Sequence, residues 1–227
     1  MDTWHEVIIG QDRLVYERTG FGKIKMGLGD KPALLVIDVQ YHFVGDVPEP
    51  ILESIKRFPY SAGEKGWRAV HHIASLLPVA RSKHIPIFYA VVDNNPKPAG
   101  WLTKKSSKVK GFWDNPAGFE IVREIAPVAG DIVIPKPRDS MFFATPFLAM
   151  LNGLRVDTLL VCGCATGGCV RATVTDAWSY NFRVAVIEEC TFDRGELNHK
   201  VNLFEMDAKY CDVIPIASAK EYLDGRS

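Results

Sequence analysis

Thr158-Leu159-Leu160-Val161-Cys162 runs into Gly163-Cys164-Ala165-Thr166-Gly167-Gly168-Cys169, and helical spacing takes over across residues 168–180. The first five residues are apolar or β-branched, short, and bounded by glycine, which predicts a buried strand rather than a helix. The glycines after it predict a tight turn that delivers a cysteine to the start of the next helix. A buried strand followed by a turn and a helix is the repeating unit of a parallel sheet.

The same unit recurs on both sides. Ala33-Leu34-Leu35-Val36-Ile37 is an apolar run ending at Asp38; residues 64–83 carry helical spacing through Trp67, Val70, Ile73, Ala74 and Leu77, with Pro78 as a kink site. Residues 86–92 read as a second strand and 131–134 as a third, ending just before Lys136. A short helix is expected near 118–125, and another from Pro146 to about Asn152, with Thr145 as its cap. Residues 183–187 give a fifth strand, 198–209 a helix, and 213–216 a last strand. Strands alternating with helices predict a three-layer α/β/α domain on a mostly parallel, six-stranded, Rossmann-like sheet. Residues 31–227 form this single domain, and residues 1–30, punctuated by Gly20, Gly22, Gly27 and Gly29, form an arm that packs on it or on a neighbouring subunit.

The composition excludes several classes. The 27 basic and 27 acidic residues balance, so nothing marks a nucleic-acid or anionic-membrane partner. No apolar run approaches the ~20 residues of a membrane span. The start of the chain lacks the basic and apolar regions of a signal peptide. Five irregularly spaced cysteines argue against a disulfide framework, and a cytoplasmic, reducing setting is expected.

In parallel sheets, ligands sit beyond the carboxyl ends of the strands. Those ends hold Asp38, Lys136 and the segment 163–169, which places an acid, a base and a thiol at one edge. A cysteine at a helix N-terminus meets backbone N–H groups and the helix dipole, which favour thiolate. Lys136 adds a positive charge, and Asp38 is suited to take the thiol proton and pass it to a leaving amine.

These residues resemble the three motifs of the isochorismatase-like cysteine hydrolases. Residues 33–40 with Phe43 match the first; Lys136 with Ser140-Met141-Phe142 and Thr145 matches the second; and Gly163–Cys169 with Val170-Arg171-Ala172-Thr173 and Asp176-Ala177 matches the third. Further likeness to the N-carbamoylsarcosine amidase and maleamate amidase branch lies in Tyr16-Glu17-Arg18-Thr19-Gly20-Phe21, Gly168-Cys169-Val170-Arg171, Asp193-Arg194 and Asn202–Tyr210. The resemblance implies that Cys169 is the nucleophile, Asp38 the general base and acid, and Lys136 the residue that orients and charges the pair. It implies a cis peptide at Cys164–Ala165, with the N–H groups of Ala165 and Cys169 forming the oxyanion hole. It also implies a small linear amide as substrate, hydrolysed through a thioester with ammonia release and no cofactor, and a homo-oligomer, either dimer or tetramer.

Phe43, Asn94, Trp113, Phe142, Thr166 and Arg194 are the candidate substrate-binding residues, with Tyr41 and Asn95 as further walls. Arg194 has the chemistry to clamp a carboxylate. No metal site is expected: His42 is isolated, and His71-His72 lie adjacent on a helix, where neighbours do not share a face. Two other readings stand beside the amidohydrolase: an isochorismatase-type vinyl-ether hydrolase, and a catalytically silent binding or assembly module of the same fold. A thiol at position 169 suits acyl transfer better than ether cleavage.

Overall fold

The computed structural model describes residues 6–20, 22–92, 101–102, 112 and 114–226. Six strands form one sheet: β1 (Pro32–Ile37), β2 (Ile87–Val92), β3 (Ile132–Lys136), β4 (Thr158–Gly163), β5 (Arg183–Thr191) and β6 (Asp212–Ile214). Their order is β3-β2-β1-β4-β5-β6, and every neighbouring pair is parallel. The α-helices are α1 (Gly10–Thr19), α2 (Tyr41–Val44), α3 (Ile51–Ser54), α4 (Glu64–Ser82), α5 (Phe147–Gly153), α6 (Arg171–Ser179), α7 (Glu196–Lys209) and α8 (Ile216–Asp224).

Strand periodicity sorts the core into two layers. Leu35 and Ile37 of β1 face a cluster with Phe147 of α5, Val174 of α6 and Leu203 of α7. Leu34 and Val36 face the opposite cluster, with Val70 and Ile73 of α4 and Leu223 of α8. All six residues of β1 and of β4 are buried, as helices on both faces require. The expected three-layer architecture is therefore observed. The strand order reverses between β1 and β4, and the crevice above that point is where such sheets bind ligands.

Several boundaries differ from expectation. The helix expected at 168–180 is a π-helical turn over Thr166–Val170 followed by α6, with a kink at Gly168 (φ −123°, ψ −109°). Pro146 holds the cap position of α5 and the helix begins at Phe147; the Thr145 hydroxyl still accepts the Phe147 N–H at 3.3 Å. The region 118–125 forms two 3₁₀ turns, Pro116–Phe119 and Arg123–Ile125. The fifth strand continues to Thr191, because Glu188–Thr191 extends along β4 past a register shift. The last strand stops at Ile214, and α8 follows where no helix was anticipated. α4 runs without a break through Pro78.

The N-terminal segment is tied to the domain at a few points. The Tyr16 ring meets Phe204 edge-on at 4.7 Å, Lys25 pairs with Asp207 at 2.8 Å, and the N–H groups of Met26 and Gly27 donate to the Asp212 carboxylate. No residue of α1 is buried.

Candidate active site

Three strand ends set the geometry. Asp38 directly follows β1, and its backbone takes a left-handed conformation (φ 52°), which aspartate tolerates better than most residues. Its N–H still donates to Ala90 O at 2.9 Å, so the turn stays anchored to β2. Lys136 closes β3, two strands away from β1, at ~10 Å of sheet width. A four-methylene stem covers most of that distance. The Lys136 ammonium lies 2.8 Å from Asp38 Oδ2, 3.2 Å from Cys169 Sγ and 3.2 Å from Arg138 O.

The third end is the turn after β4. Gly163 has φ 107°, and a Cβ there would sit 2.1 Å from Ile37 O, so only glycine lets β4 approach the end of β1 this closely. The Cys164–Ala165 peptide is cis. Cys164 N–H donates to Ile37 O at 2.8 Å and its thiol to Asp38 O at 3.2 Å, which locks the turn against the Asp38 backbone. The π-helical turn then brings Cys169 round to Lys136.

Electrostatics follow from dryness. Asp38 and Lys136 have almost no exposure. Burial pushes the Asp38 carboxyl above its ordinary value, against the pull of Lys136. The Lys136 ammonium is held above its ordinary value: Asp38 and Cys169 together outweigh the burial that opposes them. Burial, then the negative charge of Asp38, push the Cys169 thiol up to about 12, despite Lys136. Burial thus opposes the thiolate that the helix start and Lys136 favour, and Asp38 is the nearby proton acceptor of a coupled pair.

A second polar cluster holds the nucleophile turn from behind. Asp193 is buried; its carboxylate accepts Gly167 N–H (3.0 Å), Asn198 Nδ2 (2.7 Å) and the Arg194 N–H (2.8 Å). Thr166 is fully buried, and its hydroxyl lies 2.7 Å from His199 Nδ1. Burial holds His199 below its ordinary pKa, so it is neutral near pH 7. Asn202 donates to Asn198 and accepts from Arg171 at 2.6 Å; Arg171 in turn approaches Glu205 at 3.9 Å. A Cβ on Gly167 would lie 2.6 Å from both asparagine amides, which explains a glycine beside the cluster.

The candidate pocket residues separate. Half-buried Phe43 and Arg194 meet around Tyr60: the Phe43 ring is 6.4 Å from the Tyr60 ring, and the Arg194 guanidinium stands 5.3 Å over it while donating to Tyr60 O at 3.2 Å. Phe142 is instead a core residue, packed on Phe147 (4.9 Å), Tyr180 (5.3 Å) and Phe182 (6.1 Å). Its ring belongs to the layer between α5, α6 and the sheet. The polar tip of Thr166 is spent on His199. Tyr41 accepts the Arg123 N–H at 3.2 Å through its hydroxyl. Asn94, Asn95 and Trp113 lie outside the described residues.

His42 is fully buried among Phe112 (4.4 Å), Phe119 (4.5 Å) and Phe58 (6.1 Å), and burial lowers its pKa to about 4. His71 and His72 are exposed on α4. Among the described residues, no three His, Cys, Asp or Glu side chains gather as a metal site would need, and no helix is long and apolar enough to cross a membrane.

Sequence reasoning missed Asp139, whose Oδ1 lies 3.9 Å from Cys169 Sγ, together with Asn198 and His199. Asp139 was discoverable, being a carboxylate three residues beyond Lys136 on the same strand-end loop. The two α7 residues carry no local signal, because their role depends on how α7 lies against the turn.

The Isochorismatase domain model matches residues 32–218, which contain all three strand ends. The chain belongs to the isochorismatase family. It is 33% identical over 202 residues to maleamate amidohydrolase from Pseudomonas putida, covering 88% of this chain and 90% of that protein. It is 30% identical to N-carbamoylsarcosine amidase from an Arthrobacter species, covering 92% of this chain and 77% of that protein. Among solved structures, an isochorismatase family protein from Desulfovibrio vulgaris superposes with a TM-score of 0.70 at 27% identity, covering 86% of this chain and all of that one.

Proposed function

We propose that this isochorismatase-family amidohydrolase cleaves the C–N bond of a small linear amide through a thioester on Cys169. The observation that carries the reading is the convergence of one ammonium on a carboxylate and a thiol, 2.8 Å and 3.2 Å away, at the sheet's ligand edge. The names of the two relatives agree with amide chemistry.

In this mechanism the Cys169 thiol gives its proton to Asp38 as sulfur attacks the carbonyl carbon. Lys136 holds both groups and balances the charge. The N–H groups of Ala165 and Cys169 receive the oxyanion, which such donors stabilise by several kcal/mol (~3). Asp38 then protonates the departing nitrogen, the C–N bond breaks, and ammonia leaves. Water, deprotonated by Asp38, attacks the thioester and releases the acid with the Cys169 thiol restored. No step needs a cofactor.

Phe43 and Arg194 form the substrate wall around Tyr60, with Arg194 receiving a carboxylate at the far end of an N-carbamoyl amino acid, a maleamate-like or a ureido substrate. The exposed apolar residues of the N-terminal segment, Ile9, Leu14 and Val15, favour a homo-oligomer, which sedimentation would measure as a dimer or tetramer. Five free cysteines suit a cytoplasmic setting.

The test is ammonia release from a panel of N-carbamoyl amino acids, maleamate, biuret and nicotinamide. The wild type is expected to release ammonia from at least one linear member, and Cys169→Ala from none. Release by the variant at the wild-type rate would overturn the reading.

A further inference from the structure

Three acceptors meet the Lys136 ammonium: Asp38 Oδ2 at 2.8 Å, Cys169 Sγ at 3.2 Å and Arg138 O at 3.2 Å. An ammonium carries three protons, so these contacts match its donor capacity. The first two acceptors exchange a proton in the proposed reaction. The third is a neutral carbonyl whose charge stays constant through the cycle, so it is the fixed point that orients the ammonium. It belongs to the residue two beyond Lys136, with Pro137 between them. The side chain of that same residue reaches the other way. Arg138 Nη1 donates to Leu102 O at 2.9 Å, and the guanidinium stands 4.3 Å over the ring of half-buried Trp101. The Trp101 ring in turn meets Phe143, further along the loop that leaves β3, at 6.3 Å. Leu102 and Phe143 are exposed, so this clamp lies at the rim, while the ammonium at the other end of the residue is buried.

We propose that Arg138 is a positioning residue for the reaction: its clamp on Trp101 and Leu102 fixes the carbonyl that holds Lys136 against Asp38 and Cys169. The proposal rests on the reading of Cys169 as the nucleophile. A cation over an aromatic ring and a charge-assisted hydrogen bond are modest contacts at a rim. Their leverage comes from the other end of the residue, where the ammonium lies out of water and small changes of distance are felt most. Without the clamp the Arg138 carbonyl can turn away. The ammonium then keeps its charge but loses its fixed direction, and it favours the Cys169 thiolate less. The charged groups that face the sulfur are Asp38, Lys136 and Asp139. None of them is altered by a substitution at Arg138 or Trp101, so a change in the titration of the thiol reports where Lys136 stands. Arg138 itself transfers no proton.

The test is the pH profile of alkylation by iodoacetamide, read on the peptide carrying Cys169, in wild type, Arg138→Ala, Trp101→Ala and the double variant. Each single variant is expected to move the midpoint up by about half to one pH unit, which is about three- to tenfold slower alkylation at pH 7. Turnover of the amide found in the panel is expected to show kcat lowered by a similar factor and KM within about twofold, because Arg138 acts on Lys136 and not on substrate. Trp101→Ala removes no charge, so its shift separates positioning from the loss of a guanidinium. The double variant is expected to match Arg138→Ala, since both substitutions remove one contact. Arg138→Lys, which keeps a cation over the ring, is expected to recover part of the shift. An unmoved midpoint in either single variant, a double variant showing the sum of the two shifts, or an effect on KM alone would overturn the proposal. Should Arg138→Ala fail to fold, the midpoint in Trp101→Ala decides. Alkylation needs no substrate, and wild-type ammonia release needs no variant, so failure of the amidohydrolase reading shows separately.

Discussion

Two polar clusters meet at the nucleophile turn, and they are built on opposite principles. In front, Asp38, Lys136 and Cys169 are few and lie largely out of water, and each shifts the protonation of the others. Behind, Asp193, Asn198, Asn202, Thr166 and His199 form a mostly neutral lattice around one carboxylate, linked by hydrogen bonds of good geometry. The front cluster moves a proton and therefore keeps its charges in tension. The rear cluster fixes a backbone and therefore satisfies its groups. The contrast teaches that burial alone does not mark a catalytic group; burial with unresolved charge does.

The largest effect should come from breaking the front pair. Asp38→Ala leaves the Lys136 ammonium buried without its carboxylate, which costs about 3–5 kcal/mol of stability, read by urea denaturation, and abolishes turnover. A loss below 1 kcal/mol would show that the pair is not dry. Next is a pH effect at His42. Its folded pKa of about 4 lies below the ordinary 6.5, so stability from neutral His42 is present above pH 6.5. As pH falls from 6.5 toward 4 the unfolded chain takes up a proton that the folded one refuses, removing up to ~3 kcal/mol. His42→Phe, which suits the surrounding aromatic rings, should flatten the stability profile over that window; an unchanged slope would assign it to other groups.

Asp193→Ala strips the rear lattice of its centre and leaves the Gly167 N–H unsatisfied. It should cost about 1–3 kcal/mol and slow turnover through a displaced Cys169, with the pH dependence of alkylation retained. A shifted alkylation profile would mean that Asp193 belongs to the charged front cluster. The smallest effect belongs to Tyr16→Phe, which removes one part-buried hydrogen bond to Glu205 at the far end of the lattice. It should cost ~1 kcal/mol or less in thermal unfolding and leave kcat unchanged.

The front cluster was legible in the sequence because its members sit at strand ends or on the turn that follows one, and strand ends announce themselves. Apolar runs stop at Asp38, Lys136 and Gly163, and topology does the rest. The six strands were legible for the same reason, since residues buried on both faces leave continuous apolar runs. The rear lattice was not, because Asp193 finds Gly167 across 26 residues and Thr166 finds His199 across 33. Such pairings depend on the orientation of α7, which periodicity leaves free. α8 was missed where Pro215 and Ile216 were read as the end of a strand; Pro215 is instead its N-cap. The raised Cys169 thiol was missed because the helix-dipole argument contained no desolvation, and burial outweighs Lys136 here.

The central claim is a covalent acyl intermediate on sulfur. Acid quench during turnover of the amide identified in the panel, followed by intact-mass and peptide mapping, reads it directly. The account predicts an adduct of the acyl mass, without the departed nitrogen, on the peptide carrying Cys169, and no adduct in Cys169→Ala. Steady turnover with no adduct on Cys169, or turnover that survives in Cys169→Ala, would contradict it.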